Sequence, residues 1–443
     1  TRYWRDWSSD VCSSDLFPDN TYRHRRSNRL YSVLAFDFYD QLFLNVNGTQ
    51  EAASTIAGTF FYPAADVAWQ FTQLPSLTNN SILSFGKLRL AYGQVGVEPQ
   101  PYRDRTTFEG FSYNAYDDGL DPLLYGGGFR YNDDKGNPNL KPEVKTEFEI
   151  GTDLRLFNDK LGIGFTYYSN EIKDLLFEVG LAPSGGFNSV YANAGTMTNK
   201  GVELDANYTI FKNRDWQVNL YGNFNNNRNL VTDLKGTESI ELTTQSISSR
   251  AVQGHALGSF WSTRAQRNAD GSFVLDANGF PQIDNDQGVV GDPNPDWRGG
   301  LGFSTSFKGL SLNVLFETFQ GGDYADRTRF VLYQFGTHAD VGNEVTLTQD
   351  LRNSAGVVFP AGTTVRGNIE DFGAGPVLKD ERWYTSLGGG LGGSAINEFA
   401  ISDGSWTRLR EISLQYKLNN EWVKRMKLTS VDLGITGRNL VLW

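Results

Sequence analysis

The sequence predicts an all-β fold, an antiparallel β-barrel that crosses a membrane. Three observations indicate it: long segments with period-two alternation, a scarcity of helix-period segments, and connections of two very different lengths. The chain has 443 residues, of which 39% are hydrophobic and 21% charged, and its formal net charge is −11. This composition excludes a disordered or disulfide-rich protein, and the negative charge argues against a nucleic-acid partner.

The alternation begins near Arg29 and recurs in about thirteen segments. In residues 201–211, for example, Leu204 and Tyr208 share one face while Glu203 and Asp205 share the other. Many segments have about ten residues or more, which is longer than usual in soluble sheets and suits a tilted membrane crossing. No window contains eighteen consecutive apolar residues, so the sequence predicts no transmembrane helix. A transmembrane β-barrel passes this test because half of each strand is polar.

The connections between segments fall into two kinds. Short turns follow aromatic residues at Phe157, Phe211 and Phe307. Long stretches rich in Gly, Asn and Asp lie at residues 97–142, 180–200 and 321–405. Short turns at one rim, long loops at the other and aromatic residues at strand ends are typical of outer-membrane barrels.

One stretch leaves the strand count open. If strands alternate strictly in direction, residues 232–296 must contain an even number of crossings, because Phe211 and Phe307 should lie at the same rim. Residues 257–264 are the clear candidate for a strand there, and a second strand is too weak to place.

The ends of the chain predict two further boundaries. Residues 6–16, which include the single cysteine Cys12, resemble a translated sequencing adapter. The chain stops at Trp443 within an apolar run. We therefore expect residues 1–28 to be an artefact or a disordered segment, and residues 29–443 to belong to the barrel, with both ends cut.

Several strings resemble one family. NPNLKPEVKTEFEIG, which opens residues 137–176, YANAGTMTNKGVEL at 191–204 and GDPNPDW at 291–297 resemble, in this order, segments of SusC/RagA-type TonB-dependent outer-membrane transporters. GSWTRLREISLQYKL at 404–418 and GRNL at 437–440 resemble the penultimate strands of such barrels. The chain thus resembles the C-terminal part of a member of this family.

The resemblance implies roughly half of a barrel of about 22 strands, with long extracellular loops and short periplasmic turns. It implies a place in the outer membrane of a Gram-negative bacterium and uptake of oligosaccharides or peptides. The implied partners are a SusD-like surface lipoprotein, outer-membrane lipid, and the TonB complex, which would act through an N-terminal part outside this chain. The alternative is a secreted, soluble β-rich glycan-binding or adhesin-like protein, whose apolar faces would point inward.

The sequence does not predict an enzyme or a cofactor. His24, His255 and His338 are scattered, and no catalytic or metal-binding constellation accompanies them. GGGLGG at residues 388–393 matches a dinucleotide-binding pattern by chance, since no strand precedes it and no helix follows.

Two sets of residues are candidates for binding. Asp284 and Asp286 have Asp-x-Asp-x-Gly spacing and could offer oxygens to Ca²⁺, although a polar turn is the better interpretation because the downstream glutamate is missing. Aromatic side chains of the first long loop could stack on sugars, contact a peptide, or pack the loops against one another. These are Phe111, Tyr113, Tyr116, Tyr125, Phe129 and Tyr131.

Overall fold

The computed structural model describes residues 24–78, 80–111, 128–386, 388, 395–418 and 421–443, without the side chains of 109–111 and 128–129. This part of the chain contains twenty-seven β-strands and only short helices, which confirms the all-β prediction. The strands are β1 Ser27–Phe38, β2 Leu42–Ala53, β3 Thr59–Trp69, β4 Leu83–Val97, β5 Phe108–Phe111, β6 Gly128–Tyr131, β7 Asp134–Lys135, β8 Glu143–Leu156, β9 Leu161–Gly180, β10 Ser189–Lys212, β11 Trp216–Asp233, β12 Ser239–Glu241, β13 Ser248–Val252, β14 Ser259–Ser262, β15 Gly288–Gly291, β16 Trp297–Phe307, β17 Leu310–Gln320, β18 Asp323–Ala325, β19 Glu344–Thr346, β20 Leu351–Arg352, β21 Val358–Phe359, β22 Thr364–Arg366, β23 Asn368–Asp371, β24 Pro376–Lys379, β25 Ile401–Asp403, β26 Trp406–Leu418 and β27 Val431–Leu442.

The helices are short and lie in the connections. They are α1 Arg327–Gln334, α2 Ala339–Gly342, α3 Glu381–Thr385 and α4 Glu421–Arg425, with 3₁₀ turns at Phe71–Gln73, Pro183–Gly185 and Asn397–Ala400. Among the described residues, no helix has the length and apolarity needed to cross a membrane.

Twelve strands form one antiparallel sheet, here called the wall. Its order is β1-β2-β3-β4-β8-β9-β10-β11-β16-β17-β26-β27, and β7 adds a short parallel pair to β10. Each wall strand pairs with the next one along this path, as in an up-and-down barrel. The sheet is open, with β1 and β27 at its edges, in agreement with the prediction of a partial barrel.

Cross-strand register places the apolar side chains of the wall on one face. Leu220 lies opposite Tyr208 on one side and Phe303 on the other. Phe303 lies opposite Val314, which in turn lies opposite Ile412. Because opposite residues share a face, these side chains form a continuous apolar band. Leu220 and Tyr208 are exposed, as expected for a surface that lipid covers.

Aromatic pairs mark two levels of this band. Near the short turns, the Trp216 and Phe307 rings lie 4.3 Å apart, and at the other level the Phe224 and Trp297 rings lie 5.7 Å apart. Trp216 and Phe224 share a face and are separated by about 27 Å along β11. With a strand tilt of about 40°, this gives a height of about 21 Å, close to the apolar band of outer-membrane barrels.

The bounds of most connections are confirmed. Residues 157–160, 213–215 and 308–309 are short turns at one rim of the wall, and the long loops lie at the other. The loops at 98–142 and 321–405 begin and end where the sequence predicts.

The prediction of a long loop at residues 180–200 is wrong. β9 continues to Gly180 and β10 begins at Ser189, so the connection is short. The asparagine and glycine residues of this stretch have packing roles. The Asn193 amide donates to the backbone carbonyls of Lys141 and Asp174, both at 2.8 Å, and Gly195 lies close to the Phe177 ring.

The prediction of a wall strand at residues 257–264 is also wrong. β11 pairs directly with β16, so residues 232–296 contain no crossing, and Phe211 and Phe307 do lie at the same rim. Residues 259–262 instead form β14 in a small sheet of four strands, β12 to β15. β14 has four residues, which is too short to cross a membrane.

The buried side chains lie largely beyond the wall. One apolar cluster covers the extended ends of β9, β10 and β11, and includes Phe177, Met197 and Val231. Two others lie in residues 234–296 and 321–405, here called the cap. The first strand begins at Ser27, close to the expected boundary at residue 29.

Candidate functional site

The cap has its own aromatic core. Trp383 is buried, and its ring lies 5.2 Å from Tyr384, 5.9 Å from Phe399 and 6.2 Å from Phe372. Phe280, from the other cap loop, lies 5.9 Å from Phe372 and is fully buried. The two long loops therefore fold against each other rather than extending separately.

Polar contacts join the same two loops. The Thr263 hydroxyl donates to the carbonyl of Ala395 at 2.6 Å and accepts from the backbone N–H of Asn397 at 3.0 Å. The Glu398 carboxylate accepts from the backbone N–H of Ala265 at 2.9 Å and from the Arg267 guanidinium at 2.5 Å. These hydrogen bonds satisfy buried backbone groups, so the two loops form one folded unit at the rim of the wall.

The scattered histidines remain apart. His338 caps α2, where its Nδ1 accepts from the backbone N–H of Asp340 at 3.1 Å. The Tyr333 hydroxyl donates to the Asp340 carboxylate, and burial together with this hydrogen bond raises the pKa of Tyr333. His255 lies in a turn beside β11, and the backbone N–H of His24 donates to a tyrosine hydroxyl. Of the GGGLGG segment, only Gly388 is among the described residues.

The two aspartates of the calcium hypothesis form a turn. Asp284 accepts from Arg264 Nε at 2.8 Å and from the backbone N–H of Asp286 at 3.1 Å. These two hydrogen bonds lower the pKa of Asp284. Within the described residues there is no group of three or more His, Cys, Asp or Glu side chains that could hold a metal ion. Calcium binding at these residues stays a prediction.

The structure describes one of the six loop aromatics, Tyr131, with its side chain. It stacks on Phe108, with ring centroids 4.5 Å apart, across the β5–β6 hairpin. Phe108 is 63% exposed and Tyr131 is 60% exposed. Phe111 and Phe129 lie in the same hairpin with undescribed side chains, and Tyr113, Tyr116 and Tyr125 lie outside the described residues.

Phe108 is a candidate that the sequence did not predict. It lies at the start of a four-residue strand, directly after two threonines. The segment is too short to show a clear alternation. The available signal was the aromatic spacing of the two short segments FEGF and GFRY. Only the hairpin pairing shows that Phe108 and Tyr131 are partners.

The face of the wall opposite the apolar band is polar. Asp153 binds Lys87 at 2.9 Å and Arg89 at 3.0 Å, and Arg89 also donates to Thr166 at 3.2 Å. On β17 and β26, beyond four intervening strands, Glu317 accepts twice from Arg408, at 2.8 and 3.0 Å. A face of this kind lines the wet interior of a membrane barrel.

Glycines on the polar face make room for large neighbours. A Cβ at Gly201 would overlap the Tyr168 side chain, and one at Gly151 would lie 2.9 Å from Arg89. Gly164 has more space, since the atom nearest to a Cβ there, Asp153 Oδ1, would be 3.7 Å away. A further example is Gly302, over which the Tyr221 ring lies.

These features offer surfaces on which a ligand can bind. The described residues contain a polar wall, a folded cap and an exposed aromatic pair at the same rim.

Comparison with known proteins agrees with this arrangement. The family model described as TonB dependent receptor-like, beta-barrel matches residues 2–440. The TonB-dependent receptor P3 of Formosa agariphila is 24% identical over 407 residues, which are 86% of this chain and 37% of that protein. The TonB-dependent receptor SusC of Bacteroides thetaiotaomicron is 24% identical over 402 residues, 86% of this chain and 36% of that protein.

The fold is also similar to that of a solved structure. The RagAB peptide transporter structure aligns with 95% of this chain and 44% of the matched chain, at a TM-score of 0.69 and 20% identity. The chain thus spans less than half the length of the relatives that it matches. Its relatives are outer-membrane receptors and transporters, and the chain belongs to the TonB-dependent receptor-like β-barrel family.

Proposed function

We propose that the complete protein imports oligosaccharides or peptides across the outer membrane. The observation that supports this most directly is the division of the wall into an exposed apolar face and a polar face, with a folded cap at one rim. SusC is a named relative, and the RagAB structure is described as a peptide transporter. Uptake would depend on the TonB complex, and a SusD-like lipoprotein would bind on the cap side.

The loop charges favour a neutral or cationic substrate. Residues 98–142, 234–296 and 321–405 together contain 27 acidic and 15 basic residues. This excess of negative charge repels a polyanion at the entrance. The exposed Phe108–Tyr131 pair offers aromatic surface on which a sugar ring or a peptide side chain can stack.

The alternative of a soluble β-rich protein has less support. A soluble sandwich covers its apolar faces with a second layer. In the described residues, the apolar band of the wall stays exposed, with Leu301 at 55% and Ile435 at 73%.

The test uses uptake by cells that lack the gene and regain it as wild type or variant. We expect the deletion to abolish growth on one oligosaccharide or peptide mixture, and the wild-type gene to restore it. F108A/Y131A should weaken apparent affinity about fivefold, since an aromatic contact contributes about 1 kcal/mol. The control is Tyr324→Ala, which removes another exposed aromatic side chain from the cap. Unchanged growth of the deletion strain on all such substrates would contradict the proposed import.

A further inference from the structure

The turn that joins β26 to β27 stands out among the connections of the short-turn rim. It contains α4, where Trp422 is 62% exposed, and Met426, which directly follows the helix, is 42% exposed. These two residues are one helical turn apart and therefore lie on the same side of the helix. Val423, on the adjacent side of the helix, is fully buried. Two large apolar side chains are thus exposed in the turn next to the membrane-spanning band.

The same turn concentrates positive charge. Lys424, Arg425 and Lys427 lie within four residues, and Glu421 is the only acidic residue of the turn, at 3.0 Å from Lys424. The chain as a whole has a net charge of −11. The positive charge of this turn is therefore a local feature and does not follow from composition.

One of these lysines has an unusual backbone conformation. Lys427 has φ +60° and follows the helix end, where its N–H donates to Lys424 O at 2.9 Å and the next N–H donates to Val423 O at 3.3 Å. This is the position that glycine usually occupies at a helix C-terminus, because other residues are strained there. Glycine at this position would suit the backbone and remove the charge, so Lys427→Gly separates the two effects.

A neighbouring turn repeats this arrangement. Lys308 has φ +47° in the two-residue turn between β16 and β17, a position that suits Asn or Gly better. Its Nζ lies 5.3 Å from the Phe307 ring centre, and Phe307 belongs to the aromatic pair that marks the edge of the apolar band. The following residue, Gly309, accepts a hydrogen bond from the backbone N–H of Lys417, at the end of β26. The two turns are therefore adjacent at the rim.

We propose that these turns form a docking site for anionic phospholipids of the periplasmic leaflet. Lys308, Lys424, Arg425 and Lys427 bind the lipid phosphates, and Trp422 inserts at the boundary between headgroups and acyl chains. The site is continuous with the lipid-facing band. Tyr416 on β26 and Leu433 on β27 lie opposite each other next to the turn, and both are exposed. The cations are arranged on open turns along the membrane edge, which suits a lipid surface rather than an enclosed free phosphate.

The test measures lipid retention by the complete protein that contains this chain. Native mass spectrometry after reconstitution with phosphatidylglycerol and phosphatidylcholine gives the retention ratio of the two lipids. We expect K424Q/R425Q/K427Q to lower this ratio at least ~10-fold, since one cation near an anionic membrane is worth roughly fivefold. The matched control is R352Q/R366Q/R382Q, which removes three exposed cations from the cap and should leave the ratio unchanged.

Each outcome decides the proposal. Wild-type retention in K424Q/R425Q/K427Q overturns it, and so does an equal loss in the cap control, which would indicate a general charge effect. Lys427→Gly separates charge from folding: it should lower the ratio roughly fivefold while raising thermal stability, because glycine relieves the strained backbone. Loss of the effect in excess inorganic phosphate would show a free-anion site and overturn the lipid assignment.

A second measurement checks the position of Trp422. Lipids brominated near the headgroup end of the acyl chains quench tryptophans at the interface. Trp422→Phe should remove part of this quenching from the reconstituted protein. Quenching equal to that of the wild type would place Trp422 away from lipid and overturn the docking geometry.

Discussion

The cap and the wall use similar apolar side chains in opposite ways. In the cap, Trp383 is 5% exposed and contacts a cluster of aromatic rings, whereas in the wall Leu220 is 38% exposed and belongs to a band that runs across the strands. The cap is folded by its own core, as in a water-soluble domain. The wall depends on backbone ladder hydrogen bonds and on lipid, which replaces the missing core. Two solvents therefore act on one chain, and each region should respond to substitutions according to its own solvent.

The largest difference should come from the cap core. In the complete protein, Trp383→Ala should destabilise the cap by about 3–5 kcal/mol, because a buried aromatic side chain is removed. Limited proteolysis should then cut residues 321–405 while the wall stays intact. Phe335→Ala, at a cap position 72% exposed, is the control and should have little effect. Simultaneous loss of the wall would show that the two regions are not separate.

The next effect tests the lipid face. Leu220→Arg places a charge in the apolar band and should cost about 2–4 kcal/mol. Asn219→Arg, one residue away on the polar face, should cost much less, because that side chain stays in water. Urea unfolding in lipid vesicles measures both. Equal costs would contradict the assignment of the two faces.

Packing on the polar face should give a smaller effect. Gly302→Ala forces the Tyr221 ring to move and weakens its 2.8 Å hydrogen bond to Asn313. We expect a loss of about 1–3 kcal/mol in the same unfolding assay. Gly164→Ala is the matched control, since ordinary van der Waals space is available there. A neutral Gly302→Ala would mean that the ring has room to turn aside.

A pH-dependent effect is expected in the cap. The raised pKa of Tyr333 means that the folded cap holds the hydroxyl proton more tightly than the unfolded chain does. Its contribution is therefore complete below about pH 10, the usual tyrosine pKa, and decreases above it. Tyr333→Phe should cost about 1–2 kcal/mol at pH 7 and flatten the alkaline loss in proteolysis assays. An unchanged loss of stability at alkaline pH in Tyr333→Phe would mean that another group causes that loss.

The smallest expected effect concerns calcium. Because Asp284 already binds Arg264 and a backbone N–H, we expect EDTA to leave the protease sensitivity of the cap unchanged. Asp284→Asn should weaken the turn in the same way with and without calcium. Protection by calcium that disappears in Asp284→Asn would instead support the calcium hypothesis.

The sequence predicted the wall well because each strand alternates between apolar residues that face lipid and polar residues that face water. Alternation at residues 201–211 is a local pattern, and it shows which side chains meet lipid and which meet water. The prediction failed at residues 257–264, where a short alternating segment packs in the cap instead. Burial by a distant loop gives the same local pattern as a membrane crossing, so the sequence cannot distinguish the two.

The candidate site was less predictable than the wall. Tyr131 was identified from its place in an aromatic-rich loop, but its partner Phe108 depends on hairpin pairing. The lysines at φ +60° and +47° have no sequence signature, because the left-handed conformation follows from how each turn closes.

The sequence by itself determined the membrane-spanning strands, their two faces, the short turns and the bounds of two long loops. Only the tertiary structure decided that β11 pairs with β16 across 63 intervening residues (234–296), that the two cap loops share an aromatic core, and that Tyr221 lies over Gly302. The physical reason is that faces and turns follow from neighbouring residues, whereas pairing and packing depend on which distant surfaces bury each other.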